Sequence, residues 1–148
     1  MKANGKGLRA MARILIVDDS LAMRMMLKII LESAGHEIVA EAGDGMRAVI
    51  EYCKHKPDLV TMDMNMSGTG GLEAIEQLIQ IDPEVLILVV SALATKQMIL
   101  DAMKLGAKNF LLKPFHENQI ISVVDMVLRE YRPANKEPKE NPIFVSVG

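Results

Sequence analysis

Five polar groups lie far apart in the chain, yet each sits at the end of a short apolar run. Asp18 and Asp19 follow Arg13-Ile-Leu-Ile-Val17, and Asp63 ends Asp58-Leu-Val-Thr-Met-Asp63. Ser91 follows Val85-Leu-Ile-Leu-Val-Val90, and Lys113 with Pro114 follows Asn109-Phe-Leu-Leu112. If the runs are parallel strands, their carboxyl ends share one rim, where open α/β sheets bind ligands. Three carboxylates on one rim repel: at about 5 Å and an effective dielectric near 20, each pair costs roughly 3 kcal/mol. The set therefore calls for a cation. Oxygen donors without His or Cys suit a hard ion that keeps several waters, and Mg2+ is the expected one. Lys113 adds a fixed positive charge. Together these charges would attract a phosphoryl group and offset its oxygens, with Ser91 donating a hydrogen bond. The acceptor should be a carboxylate, because His36, His55 and His116 lie away from the rim. An aspartyl phosphate is a known covalent intermediate. Asp63, alone on a central strand and opposite the Asp18–Asp19 pair, is the natural acceptor. A plainer reading treats single residues such as Asp19 or Ser20 as helix caps. It does not explain why each polar group falls at the same end of a different strand.

Positioning that rim requires five repeats of strand then helix, and the periodicity supplies them. After the first run, Leu21, Met23, Met26, Leu27, Ile30 and Leu31 recur at helical spacing, and Gly35 stands where a helix end favours a left-handed residue. Met23 and Met26 are expected in the core, with Met25 outward. Glu37–Glu41 reads as the second strand, and a helix after Gly45 stops before Pro57. The third strand, Asp58–Asp63, precedes a helix from Gly71 to about Ile81. Val85–Val90 has no polar residue, as suits a central strand covered on both faces. Helices over Lys96–Leu105 and Glu117–Tyr131 flank the short strand Asn109–Leu112. Five alternations imply right-handed crossovers and a doubly wound α/β fold.

Bulk properties narrow the function. A chain of 148 residues favours one domain with its own core. The net charge is -2, which gives no electrostatic case for nucleic acid. The lone Cys53 forms no intrachain disulfide and reads as a small apolar helix residue. No apolar stretch approaches the roughly 20 residues that cross a bilayer, and Ile14–Val17 is too short for a signal-peptide core. No membrane insertion and a cytoplasmic location are expected. Beyond Pro133 the composition turns to Pro, Asn, Lys and Glu, so the expected organisation is an extension over 1–12, a domain over 13–132 and a tail over 133–148.

These fragments resemble the response-regulator receiver family, and within it the chemotaxis-type, single-domain (CheY-like) regulators. The carriers are Ile14-Leu-Ile-Val-Asp18-Asp19-Ser20, Pro57-Asp-Leu-Val-Thr-Met-Asp63-Met-Asn-Met66 and Gly71-Leu-Glu-Ala74. Val90-Ser91-Ala92, Gly106-Ala-Lys-Asn-Phe110 and Leu112-Lys113-Pro114-Phe115 complete the set, which covers about Arg13 to Tyr131. The resemblance implies a flavodoxin-like, five-stranded parallel sheet of order 2-1-3-4-5 with five helices. It implies a phosphoacceptor signalling protein rather than an enzyme, in which a sensor histidine kinase supplies the phosphoryl group to Asp63. Asp18, Asp19, Asp63 and the backbone carbonyl of Asn65 look like Mg2+ ligands, and Lys113 would contact the phosphoryl group. Ser91 and Phe110 would form a two-state switch that the new charge biases. A downstream protein target would then read the face made by helix 4, strand 5 and helix 5.

The sequence also departs from the family. Met66-Ser-Gly-Thr-Gly-Gly71 replaces the usual Met-Pro loop and should be more mobile. Phe110 lacks the hydroxyl of the tyrosine in some relatives. Leu93 is apolar where some relatives orient water, which implies slow dephosphorylation. Two other functions compete. A flavin- or nucleotide-binding protein would need a phosphate-cradling loop after the first strand, where Asp18–Asp19 stand instead. A Mg2+-dependent phosphatase using Asp63 would want a second acid where Asn65 stands. The roughly 15 residues after the last helix are too few for a DNA-binding domain, so output by protein binding is expected, in chemotaxis or motility signalling or in another phosphorelay.

Overall fold

The computed structural model describes residues 11–92 and 95–132. In chain order the elements are β1 (Arg13–Val17), α1 (Leu21–Ser33), β2 (Glu37–Ala42), α2 (Gly45–His55) and β3 (Leu59–Met62). They continue with α3 (Gly71–Ile81), β4 (Leu86–Ser91), α4 (Lys96–Leu105), β5 (Asn109–Leu112) and α5 (Glu117–Tyr131). The five strands are parallel in the order β2-β1-β3-β4-β5, the order the resemblance implied.

Alternation along the strands divides the core in two. Ile14, Ile16, Leu86, Leu88 and Val90 point to one face, where α1 and α5 cover them with Leu27, Leu31, Ile120, Val124 and Leu128. Leu15, Val17, Val60, Ile87 and Val89 point to the other, under Ala48 and Tyr52 of α2, Ile75 and Leu78 of α3, and Ala102 of α4. Because β4 is buried over its whole length, its apolar run has no polar alternation to show. Each such side chain contributes about 1.5–3 kcal/mol of burial.

Local chemistry sets where the helices begin. The Ser20 hydroxyl accepts the Met23 N–H, Asp44 accepts from Arg47, and Thr95 accepts from Met98. Capping before α1 therefore falls to Ser20, which leaves both neighbouring aspartates for other work. Each such cap stabilises its helix by about 1 kcal/mol. Gly35, at φ 98°, takes the left-handed conformation expected after α1.

Met23 packs partly buried against the core, but Met26 is 41% exposed. That corrects the expectation for Met26. Leu27, Ile30 and Leu31 already fill the sheet-facing side of α1, and Met26 is left at the edge of that stripe. There, with Met25, Ile29 and Phe115, it lines a shallow apolar groove of about 530 Å³.

Candidate functional site

Asp18, Asp63, Ser91 and Lys113 meet at the carboxyl end of the sheet, where β1 and β3 end in register and β4 and β5 run two residues further. Met62 pairs with both Val17 and Val89, and Ser91 pairs with Leu112. Asp63 leaves β3 with its N–H on the Val17 carbonyl, 3.0 Å away. Lys113 leaves β5 with its N–H on the Ser91 carbonyl, also 3.0 Å away. The five sequence-selected groups thus converge, although the chain brings them from four strands.

Carboxylate oxygens of Asp18, Asp19 and Asp63 lie within 4.8 Å of one another. Asp18 and Asp63 are buried, at 1% and 4% exposure, and Asp19 is exposed. One fixed cation is built into this cluster. The Lys113 ammonium donates to Asp18 Oδ2 at 2.7 Å and stands 3.9 Å from Asp63 Oδ2. The lysine therefore rests on Asp18, with Asp63 within reach.

Asp63 is held by other donors. The Ser91 hydroxyl donates to its Oδ1 at 3.1 Å, and the Asn65 N–H donates to the same oxygen at 3.2 Å. The Asn65 side-chain amide in turn donates to Ser91 Oγ at 3.0 Å. Burial pushes the Asp63 carboxyl up from the ordinary carboxylate range, and the charge of Asp18 adds to that. The Asn65 N–H, Lys113 and Ser91 pull in the opposite direction.

Three oxygen donors clustered around one ammonium fit a hard divalent cation. One lysine cannot balance three carboxylates, and nothing in the donor set is soft. Asp19, exposed and beside two buried carboxylates, leaves the cluster open on the solvent side, as an ion that retains waters requires.

Phe110 lies on β5 and is 39% exposed, on the face opposite Leu111, which packs under α5. Leu93 lies outside the described residues, as does the tail over 133–148. The glycine-rich loop after Asp63 is tethered to the start of α2. The Thr69 carbonyl accepts the N–H of Gly45 at 3.1 Å, at the start of α2. At Gly71 a Cβ would stand 2.7 Å from both the Asp63 carbonyl oxygen and Met64 Cα, so only glycine lets α3 begin this close to the end of β3.

Two contacts were not foreseen from sequence. One is the Asn65 side chain on Ser91. The other is Arg24, which donates to the Asp18 carbonyl at 2.6 Å and to Glu41 Oε1 at 3.1 Å. The available signal was an arginine set into a methionine-rich first turn and a half, between Met23 and Met25.

With this topology and this rim, the chain belongs to the response regulator receiver family. The family model described as the response regulator receiver domain matches residues 14–125, from β1 into α5. More particularly, the chain is similar to the chemotaxis protein CheY of Thermotoga maritima, with 44% identity over 115 residues, 78% of this chain and 96% of that protein. The Bacillus subtilis chemotaxis protein CheY is 45% identical over 116 residues, covering 78% of this chain and 97% of its own. Among solved structures, a chain of the CheX–CheY–BeF3–Mg2+ complex from Borrelia burgdorferi superposes with a TM-score of 0.76 at 33% identity. The match covers 78% of this chain and 88% of that one. The chain is thus a CheY-like receiver, a signalling protein whose relatives are chemotaxis response regulators. Phosphorylation of an aspartate with Mg2+ is typical of this family. Among the described residues, no helix is long and apolar enough to cross a membrane.

Proposed function

We propose that Asp63 is the residue that takes the phosphoryl group, from a histidine kinase, and that the change of charge there switches the binding of a protein partner in chemotaxis or motility signalling. The observation that carries this reading is the position of Asp63. It is the one carboxylate of the cluster that is buried, hydrogen-bonded to the Ser91 hydroxyl, and within 4 Å of Lys113 without being its primary partner.

In the transfer, a carboxylate oxygen of Asp63 bonds to phosphorus as the P–N bond to the kinase imidazole breaks. The imidazole leaves with the bond's electron pair and takes up a proton. Lys113 moves from Asp18 towards the incoming oxygens, a shift that the 3.9 Å separation from Asp63 keeps short. Ser91, already donating to Asp63, redirects its hydroxyl to a phosphoryl oxygen. Asp18, Asp19, Asp63 and the carbonyl of Asn65 are the proposed holders of Mg2+, which when bound supplies positive charge that offsets the acids and the transferred group. Self-catalysed transfer from small phosphodonors and slow loss of the phosphoryl group belong to the same reading.

Ser91 and Lys113 also connect the site to the rest of β5. Their main chains are hydrogen-bonded, and Phe110 lies three residues before Lys113. A shift of Ser91 towards new charge therefore acts on the strand that carries Phe110. The face of α4, β5 and α5, where Leu100, Met103, Phe110, Leu112 and Met126 are exposed, is the proposed surface for the target. The Borrelia complex, which contains CheX, BeF3 and Mg2+, supports a protein partner and a divalent cation.

Intact-protein mass after incubation with acetyl phosphate tests the acceptor. A labile gain of about 80 Da that needs Mg2+ and is lost in Asp63→Ala is expected of an acyl phosphate. An adduct that persists in Asp63→Ala would move the acceptor elsewhere.

A further inference from the structure

We infer that Arg24 is a positioning residue for the cation site: it fixes the main chain between Asp18 and Asp19 and so sets where the Asp19 carboxylate stands. The inference rests on the proposed site. Its basis is how the Asp18–Ser20 turn is held.

Every acceptor atom of Asp18 has a partner. Oδ1 takes the Ser20 N–H at 2.9 Å, Oδ2 takes the Lys113 ammonium at 2.7 Å, and the main-chain oxygen takes Arg24 Nη1 at 2.6 Å. The Asp18 N–H is bound in turn to the Ala42 carbonyl at 2.9 Å. Asp19 has no comparable support: it is exposed, and no side-chain hydrogen bond is seen for it among the described residues. Its carboxylate goes where the preceding peptide puts it, and that peptide's oxygen is the atom Arg24 grips.

The grip is itself anchored. Arg24 is 19% exposed along its side chain, and its Nε donates to Glu41 Oε1 at 3.1 Å. Glu41 lies on β2 directly beside Ile16 of β1. A guanidinium is suited to this task because its planar fork holds a carboxylate and a carbonyl at once. Arg24 thereby ties α1, β2 and the end of β1 into one unit at the edge of the acidic cluster.

Charge and position make opposite demands on affinity, which gives the inference a sign. Removing a positive charge a few ångströms from the cluster should, by Coulomb attraction alone, tighten a divalent cation. Removing a positioning group should loosen it. Losses of about tenfold are usual when a ligand's supporting partner is lost.

The test is Mg2+ binding by titration calorimetry on the full chain, for wild type, Arg24→Met and Arg24→Lys, beside the rate of labelling by acetyl phosphate at saturating Mg2+. Arg24→Met keeps the apolar stem but has no donor. It is expected to weaken Mg2+ about tenfold and to leave the rate at saturating Mg2+ within twofold of wild type. Arg24→Lys, with charge but no fork, should fall between the two, and it carries the test if Arg24→Met does not fold. Unchanged or tighter Mg2+ binding in the variants would overturn the inference, as would a fall in the saturated rate with affinity intact. Absence of Mg2+ binding by the wild type would instead remove the proposed site itself, and this inference with it.

Discussion

Asp63 carries two conflicting requirements. As a buried carboxylate beside Asp18 it is costly to ionise, yet three groups around it favour the ionised form. Burial is the largest influence, so the folded chain holds its pKa above the ordinary value. A carboxyl raised in this way loses stability as pH rises through its folded-state pKa, and the penalty is absent below the unfolded-state value. In EDTA, Asp63→Asn should therefore melt at a higher temperature than wild type at pH 7. The difference should shrink as pH is lowered through the folded-state pKa of Asp63, and melting curves at several pH values check this. An Asp63→Asn protein that melts below wild type at pH 7 would mean that Lys113 and the hydrogen bonds outweigh burial. At this scale sequence reasoning found Asp18, Asp19, Asp63, Ser91 and Lys113, because each closes an apolar run. It did not find Arg24 on the Asp18 carbonyl or the Asn65 amide on Ser91. Both sit inside loops or helices, and what they touch depends on how neighbouring elements pack.

The elements were legible where periodicity and punctuation agree. The spans of α4, β5 and α5 coincide with their patterns, because Thr95, Gly106 and His116 mark the boundaries. β3 and β4 shift by a residue or so from their apolar runs, since hydrogen-bonded pairing, not side-chain character, ends a strand. Met26 was misread because an apolar residue at the rim of a helical stripe has the same spacing as one at its centre. Between elements, the junction of β3 with α3 is tight. Gly71→Ala would press a methyl group against the Asp63 carbonyl and Met64, and overpacking of this kind costs about 1–3 kcal/mol. Urea unfolding should show a loss of that size. Labelling of Asp63 should fall as well, since the strain is delivered to the proposed acceptor's own main chain. An undiminished midpoint would mean that α3 can slide away from the strand.

For the whole molecule, cation binding and folding are linked, because the unfolded chain does not assemble carboxylates from β1 and β3. A ligand at a hundred times its Kd stabilises the folded state by about 2.7 kcal/mol, or roughly 5–10 °C for a domain of this size. Wild type should gain that much in saturating Mg2+ over EDTA, whereas Asp19→Asn should gain clearly less at the same concentration; differential scanning fluorimetry is sufficient. An equal gain in both would exclude Asp19 from the site. The doubly wound fold was readable from five alternations and its strand order from the family resemblance, but the degree to which each strand is covered was not. α5 lies over β5 on one face, while on the other α4 packs against α3. Phe110 and Leu112 are left 39% and 48% exposed. In architectural terms the sheet has one bay without a roof, at the strand joined by hydrogen bonds to Ser91. A partner bound on the proposed surface would finish a layer that the chain leaves open, and any displacement of that one strand would alter its footing directly.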